Sequence, residues 1–276
     1  MNAVTPVSPD LARSWLLVSG GRSDLFNEAS TSMADQVILD LEDAVDAASK
    51  PQARVSVQEW LSTGGEAWVR INPRSSEFWS DDIDAITGAP GLRGVVLAKT
   101  ESGTEVSETF DRLGANKPVI PLLESALGIE EAVAVARANG AFRLAFGSGD
   151  YRRDTGVGDH DLALVYPRTR LVLASRIGQL PGPVDGPTVG ASRTVLREQA
   201  ALAASLGLTG KLCLDLAGLS EVNEAIGPAP SEVAWARQFL DGFESRGRVV
   251  RDGSEPPRLA RAQKIDRIAR ALGLVP

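Results

Sequence analysis

The chain has 276 residues, enough for one large domain or two ordinary ones, with one cysteine and one histidine. Its 36 acidic and 29 basic side chains leave a formal charge of −7, and no basic block offsets the acids, which argues against a nucleic-acid-binding function. A single cysteine excludes an internal disulfide, and one histidine argues against a zinc site of the usual ligands.

The beginning of the chain and its apolar runs bear on where the protein works. Residues 1–15 lack the basic and apolar regions of a secretory signal. No window approaches eighteen uninterrupted apolar residues, the length needed for a membrane-spanning helix. We therefore expect a cytoplasmic protein without a membrane span.

Short apolar runs recur along the chain and predict eight β-strands. They lie at 15–18, 37–41, 67–71, 94–98, 119–123, 143–147, 182–186 and 211–215. Stretches with helical spacing separate them, such as 129–140 and 192–207, each ending in the glycine that helix C-termini favour. Eight strands that alternate with helices predict an α/β protein whose parallel sheet closes into a TIM (β/α)8 barrel.

The last fifty residues carry a different pattern, so we assign the barrel to residues 1–226 and C-terminal helices to residues 227–276. An amphipathic helix is predicted over 231–247 and a basic helix over 258–273. The proline- and glycine-bearing stretch 248–257 reads as a linker between them. This tail is predicted to form a lid over a barrel mouth.

Charged side chains follow several of the predicted strands. The C-terminal strand ends of a parallel barrel open on one face, where barrel enzymes carry out their chemistry. Glu124 and Asp150, after the fifth and sixth strands, are therefore expected to be neighbours that need a cation between them. Mg²⁺ suits such a pair because it takes hard oxygen ligands and leaves positions for water and substrate. The other charged strand ends are Glu42, Asp43, Arg70 and Lys99.

These residues also have structural interpretations. Glu124 can stabilise the start of the following helix, and Asp150 can cap one. Arg70 can pair with Asp40 or Glu42 inside the barrel or can clamp a substrate carboxylate. Lys99 and His160 are interpreted as solvated residues, Asp40 as a buried structural acid and Cys213 as a small core residue.

Six segments, taken in order, resemble the citrate lyase beta subunit-like group of the HpcH/HpaI aldolase superfamily. They read RSWLLVSGGRSDLFNEA, VILDLEDAVDAASKPQAR, WVRIN, LAKTES, LLESALGI and GSGD. The resemblance implies a barrel, usually trimeric or hexameric, that makes or breaks carbon–carbon bonds of acyl-CoA esters with Mg²⁺ or Mn²⁺. It implies Glu124 and Asp150 as metal ligands, with Glu124 also facing the substrate, and Arg70 as the substrate-carboxylate clamp. Glu42 and Asp43 join Arg70 as candidate catalytic residues.

The chain departs from the family pattern near its eighth strand and before Asp150. The family usually has His-Pro where this chain has Asp215 and Leu216, and a carboxylate near the CoA phosphates predicts reduced affinity for CoA. Lys211 is retained and is the candidate contact for a CoA phosphate. Gly149 replaces a glutamate that usually precedes the second metal ligand, which leaves Asp150 itself in place.

The third departure lies in the lid, which the family takes from a neighbouring subunit. An aspartate there usually transfers a proton, and this chain has Glu255 at that place, with Asp252 three residues earlier as the other candidate. A glutamate can do the same acid–base chemistry, although its longer side chain shifts the carboxyl group.

The expected activity is magnesium-dependent cleavage of a 3-hydroxyacyl-CoA, such as citryl-, malyl- or citramalyl-CoA, to acetyl-CoA and a 2-oxo acid, or the reverse reaction that forms the thioester from them. One alternative is a CoA-independent aldolase or lyase on free oxo or hydroxy acids, which the missing His-Pro pair favours. The other is a non-catalytic barrel that binds a metabolite or serves in a larger complex. A homotrimer or hexamer is expected.

Overall fold

Eight parallel strands follow one another around a closed barrel in the computed structural model, which describes residues 7–275. They are β1 (Ser14–Ser19), β2 (Gln36–Asp40), β3 (Ala67–Ile71), β4 (Leu92–Leu97), β5 (Val119–Leu123), β6 (Ala145–Phe146), β7 (Val184–Asp185) and β8 (Gly210–Cys213). Each strand pairs with the next, and β8 closes the ring on β1. The predicted TIM barrel is confirmed. Residues 1–6, part of the segment considered for a secretory signal, lie outside the described residues.

Helices follow the strands and cover the outside of the barrel. They are α1 (Phe26–Ser30), α2 (Lys50–Ser62), α3 (Trp79–Ile86), α4 (Gly103–Arg112), α5 (Ala126–Glu130), α6 (Ala132–Ala136), α7 (Ser148–Thr155), α8 (Val165–Ile177), α9 (Arg193–Leu206), α10 (Leu219–Ile226), α11 (Pro230–Ser245) and α12 (Glu255–Ala271). Short 3₁₀ turns lie at Ser23–Leu25 and Asp161–Leu164. Across the described part of the chain, no helix is both long and apolar enough to cross a lipid bilayer.

Two helices differ from their predicted extents. The pattern at 129–140 forms two short helices, α5 and α6, and the first begins early because the Ser125 hydroxyl accepts a hydrogen bond from the Gly128 amide at 3.1 Å. The final helix begins at Glu255, so the linker is shorter than predicted. Proline is accepted in a first helical turn, where its missing N–H would have no partner.

Side chains along each strand alternate between the barrel interior and the surrounding helices. Asp40, Arg70 and Glu124 each lie two residues beyond an interior side chain and therefore on the same face, at the C-terminal end of the barrel. This alternation brings the charged strand ends to one mouth. The interior cluster includes Ile38, Trp68, Ile120, Leu122 and Leu212.

The two C-terminal helices pack on each other as a hairpin. Their contact is a small apolar cluster separate from the two clusters of the barrel. The buried residues of this cluster are Val233, Ala236, Ala262, Ile265 and Ala269.

Candidate active site

Asp40 organises the chain at the end of β2. It is 1% exposed, and its two carboxylate oxygens accept hydrogen bonds from the Glu42 amide at 2.9 Å and the Ala44 amide at 3.1 Å. The backbone therefore turns tightly around this carboxylate. Glu42 is consequently buried toward the mouth, whereas the side chain of Asp43 is 58% exposed.

Arg70 lies beside Asp40 on the neighbouring strand β3. Its Nε and Nη2 donate to the two oxygens of Asp40 at 2.7 and 2.5 Å, and Nη1 lies 3.3 Å from Glu42 Oε2. Burial disfavours the charged guanidinium, but the hydrogen bonds and charges of Asp40 and Glu42 outweigh burial and raise the pKa of Arg70. The two interpretations of Arg70 are compatible, because three of its five N–H groups bind the protein and the side chain still reaches the mouth.

Lys99, at the end of β4, binds several carboxylates and is not the solvated residue that the sequence suggested. Its ammonium contacts Glu42, lies 3.3 Å from both carboxylate oxygens of Asp43, and lies 3.6 Å from Asp150 Oδ2. Partial burial opposes the charge, but hydrogen bonding and attraction to Glu42 raise the pKa of Lys99 to about 12. The sequence signal, a lysine ending an apolar strand, was present but did not identify these partners.

Glu124 follows β5 and is 6% exposed. Its Oε1 accepts a hydrogen bond from the Lys99 backbone amide at 2.8 Å. Burial, reinforced by the negative charges of Asp150 and Glu42, raises the pKa of Glu124 to about 8. A Cβ on Gly147 would lie 2.0 Å from Glu124 Oε2, so glycine is required for the close approach of β6 to this carboxylate.

Asp150 lies in the first turn of α7, directly after β6. Its negative charge is close enough to Glu124 to raise the pKa of that residue. Its Oδ1 is 3.3 Å from Arg153, whose side chain is 72% exposed. Its Oδ2 is buried without a hydrogen-bond partner among the described residues. A buried carboxylate oxygen without a donor is costly in an apolar setting, and a cation is the ligand that would satisfy it.

The donor set fits magnesium. Glu124 and Asp150 offer hard carboxylate oxygens, and Mg²⁺ is commonly held by one or two carboxylates with water and substrate completing its shell. Within residues 7–275, no group of three or more histidine, cysteine, aspartate or glutamate side chains is arranged to hold a metal ion. A two-carboxylate site matches that observation and leaves coordination positions for a substrate.

Lys211 lies outside the mouth. It is 1% exposed, on the face of β8 opposite the interior residue Leu212, and its ammonium lies 3.0 Å from Asp185 Oδ2 and 2.6 Å from the Gly186 carbonyl oxygen. Arg168 of α8 donates to both oxygens of the same carboxylate. This position does not fit the predicted contact with CoA, because strand alternation turns the side chain toward the helical layer.

The two lid carboxylates differ in their surroundings. Glu255 is 7% exposed, and its carboxylate contacts the Arg246 guanidinium and accepts a hydrogen bond from the Arg251 amide at 2.7 Å. Asp252 is exposed and accepts hydrogen bonds from the amide and hydroxyl of Ser254 at 2.7 and 2.6 Å. The structure thus places Glu255 inside the C-terminal hairpin and Asp252 on its surface turn.

Two family descriptions match this chain. The HpcH/HpaI aldolase/citrate lyase family matches residues 13–215, and the HpcH/HpaI aldolase C-terminal domain matches residues 231–273.

Individual proteins match over most of their length. The chain is 29% identical to a citrate lyase subunit beta-like protein of Deinococcus radiodurans, covering 93% of this chain and 97% of the relative. It is also 29% identical to the L-malyl-CoA/beta-methylmalyl-CoA lyase of Cereibacter sphaeroides, covering 87% and 86%. The crystal structure of CitE from Mycobacterium tuberculosis in complex with magnesium, acetoacetate and coenzyme A superposes with a TM-score of 0.78 at 27% identity, covering 96% of this chain and 99% of that one.

Proposed function

Because the chain belongs to the HpcH/HpaI aldolase/citrate lyase family and is a carbon–carbon lyase, we propose that it cleaves a 3-hydroxyacyl-CoA to acetyl-CoA and a 2-oxo acid, or forms it from them. The named activity of the C. sphaeroides relative and the ligands of the CitE structure support this substrate class.

One observation carries the proposal: buried Glu124 and half-buried Asp150 lie near the half-buried guanidinium of Arg70 at the C-terminal mouth of the barrel. Glu124 and Asp150 form a pair, and Asp150 Oδ2 has no hydrogen-bond partner in the described chain. Two acids that repel each other beside a guanidinium are suited to a divalent cation and an anionic ligand together.

Glu124 and Asp150 would hold magnesium at this mouth. When bound, the metal supplies positive charge that polarises the oxygens of the oxo acid. The 2.8 Å hydrogen bond from the Lys99 amide fixes the orientation of the Glu124 carboxylate. A ligand held in this way needs little rearrangement when substrate arrives.

Arg70 would bind the carboxylate of the oxo acid. Its contacts with Asp40 and Glu42 fix the plane of the guanidinium, and two of its five N–H groups stay available. A guanidinium binds a carboxylate through two parallel hydrogen bonds, which orients the substrate as well as neutralising it. The same group stabilises negative charge on the oxygen of the oxo acid during cleavage.

Cleavage requires two proton transfers. The substrate hydroxyl loses its proton to a carboxylate of the mouth, the electron pair of the carbon–carbon bond passes to the acetyl fragment, and an acid protonates the resulting enolate carbon. Asp43 is available to accept the first proton because it is ionised: burial opposes ionisation, but contacts with Glu42 and Lys99 lower its pKa. Both oxygens of Glu42 are occupied by Lys99, Arg70 and the Asp43 amide, so Glu42 serves to hold the two cations.

Asp252 is our proposed lid acid, ahead of Glu255. The carboxylate of Glu255 is buried in the hairpin against Arg246, whereas Asp252 lies on an exposed turn. The hydrogen bonds and ion pairs of both residues join neighbours within residues 246–255. We propose that the lid acts on the mouth of a second copy in a homo-oligomer, as the family resemblance implies.

The direct test is product analysis. We would incubate the isolated protein and Mg²⁺ with malyl-, citramalyl- and citryl-CoA and with the matching free acids, and measure release of glyoxylate, pyruvate and oxaloacetate. Release of oxo acid from a thioester, with none from the matching free acid, supports the proposal. No oxo acid from any compound, with substrate still bound, would instead indicate a metabolite-binding barrel.

A CoA-independent lyase is the second candidate, favoured by the surroundings of β8. Lys211 is buried against Asp185. Asp215 lies two residues beyond the end of β8, is exposed, and its carboxylate accepts hydrogen bonds from the Ala217 and Gly218 amides. Neither residue offers a free cation to a phosphate. Oxo acid released from the free acids alone would favour this candidate.

A further inference from the structure

Lys99 has a role that the reaction described above does not require. Its ammonium lies among three carboxylates, contacting Glu42 and Asp43 and lying 3.6 Å from Asp150 Oδ2. Its own backbone amide holds Glu124. One residue therefore touches both proposed metal ligands, one through its side chain and one through its main chain.

The backbone of Lys99 is shaped for this double contact. Its φ of 47° lies in the left-handed region, which a residue with a Cβ seldom adopts. Such a conformation persists when the surrounding structure over-determines it. Here the left-handed turn directs the amide toward Glu124 while the side chain extends toward Asp43 and Asp150.

Metal binding must change the environment of this ammonium. Magnesium binds carboxylate oxygens at about 2.0–2.1 Å, so an ion on Asp150 Oδ2 would lie within a few ångströms of the Lys99 ammonium. Two cations at that separation repel each other. The lysine side chain is 33% exposed and already touches exposed Asp43, which offers it a place away from the metal.

We propose that Lys99 is a positioning residue. It serves as the internal counter-ion of the metal-free site, and magnesium displaces its ammonium from Asp150. The inference rests on the proposed Glu124–Asp150 metal site. In the metal-free protein the ammonium offsets the repulsion among Glu42, Asp43 and Asp150 and keeps the mouth assembled. When the ion binds, the ammonium gives up Asp150 and keeps its contacts with Glu42 and Asp43, and its remaining repulsion lowers magnesium affinity.

This role predicts two effects of opposite sign for Lys99→Met, which keeps the backbone amide and the length of the side chain. The metal-free protein should melt at a lower temperature, because the clustered carboxylates lose their counter-ion. Magnesium should nevertheless bind about tenfold more tightly, because a competing positive charge is gone. A merely structural lysine would lower stability and weaken metal binding together.

The experiment is calorimetric titration of MgCl₂ into chelator-treated protein, with melting temperatures recorded with and without the ion. Lys99→Arg should stay near the parent, since it keeps the charge. Lys264→Met is the matched control, because Lys264 is exposed on α12 and its removal changes the net charge equally. Tighter binding by Lys99→Met alone supports the proposal, and Lys99→Gln provides the same test should the Met variant not fold.

Equal or weaker magnesium binding by folded Lys99→Met and Lys99→Gln would overturn the counter-ion role while leaving the metal site in place. A different result identifies failure of the site itself: a parent protein that takes up no magnesium, or uptake that survives in Glu124→Gln and Asp150→Asn. That result would overturn both proposals.

Discussion

The guanidinium of Arg70 joins the structure of the mouth to its chemistry. It spans the two oxygens of buried Asp40 and reaches Glu42, while its free edge faces the mouth. A single ammonium cannot reproduce this planar arrangement of donors. The residue therefore contributes to stability and to substrate binding at once.

Arg70→Lys should accordingly lower both properties. We expect kcat/KM for the cleaved thioester to fall by about 100-fold, comparable to the loss of one charge-stabilising donor. The free energy of unfolding should fall by about 2 kcal/mol, because hydrogen bonds to a buried charged group are lost. Arg74→Lys, at an exposed arginine paired with Glu108, is the control and should change neither quantity much. Parental kcat/KM in Arg70→Lys would remove Arg70 from substrate binding.

Glu124 should make the metal-free protein sensitive to pH. Its pKa is raised from 4.5 to about 8, so between these values the folded protein holds a proton that the unfolded chain has lost. The contribution of Glu124 to the free energy of unfolding is therefore present at low pH. It is lost as pH rises toward 8, by at most about 1.4 kcal/mol per pH unit. Urea unfolding in the presence of a chelator, from pH 5 to 8, should show a steeper decline for the parent than for Glu124→Gln. An equal decline of the unfolding free energy in the parent and in Glu124→Gln would contradict a raised pKa of Glu124.

At the scale of the elements, a buried ion cluster ties β7 and β8 to α8. Asp185 is fully buried, and although burial opposes ionisation, Lys211 and Arg168 hold its pKa below the ordinary value. The two strands are short, with two residues in β7 and four in β8. We infer that these side-chain ion pairs compensate for the few backbone hydrogen bonds that such strands can make.

Lys211→Met should separate a structural lysine from a CoA contact. Loss of one partner from a buried ion pair should cost about 3 kcal/mol of unfolding free energy. KM for an acyl-CoA substrate should stay at the parental value, since the ammonium is directed toward Asp185 and not toward the mouth. A raised KM with unchanged stability would restore Lys211 as a phosphate ligand.

At the scale of the whole molecule, the C-terminal hairpin carries the proposed acid on a unit with its own apolar cluster. If the lid of one copy covers the mouth of another, a protein defective in the lid and one defective in the mouth should complement each other. We expect Asp252→Asn and Glu124→Gln to be inactive alone and to recover part of the parental activity when mixed and reassembled. Light scattering would establish the oligomer in the same samples.

Glu255→Gln is the companion variant. It should weaken the contact with Arg246 and lower the melting temperature, while kcat per folded molecule stays near the parent. Loss of kcat in Glu255→Gln but not in Asp252→Asn would exchange the roles of the two acids. An absence of complementation would argue against a lid that is shared between copies.

The barrel and the charged strand ends were predictable from the amino-acid sequence, because both depend on local patterns. Eight apolar runs separated by helical spacing are sufficient to indicate a closed parallel sheet, and an acid or arginine at the end of such a run must emerge at the mouth. Glu124, Asp150 and Arg70 were identified in this way, and their metal-binding and substrate-binding roles stay predictions.

The partners of these side chains could not be predicted from the sequence and are known from the folded structure. The left-handed backbone of Lys99 and its three carboxylates depend on strands that are distant in sequence. The burial of Lys211 against Asp185 depends on strand register, since a shift of one residue would turn the side chain to the opposite face. Charge partners across a barrel are set by register and packing, and a one-dimensional pattern contains neither.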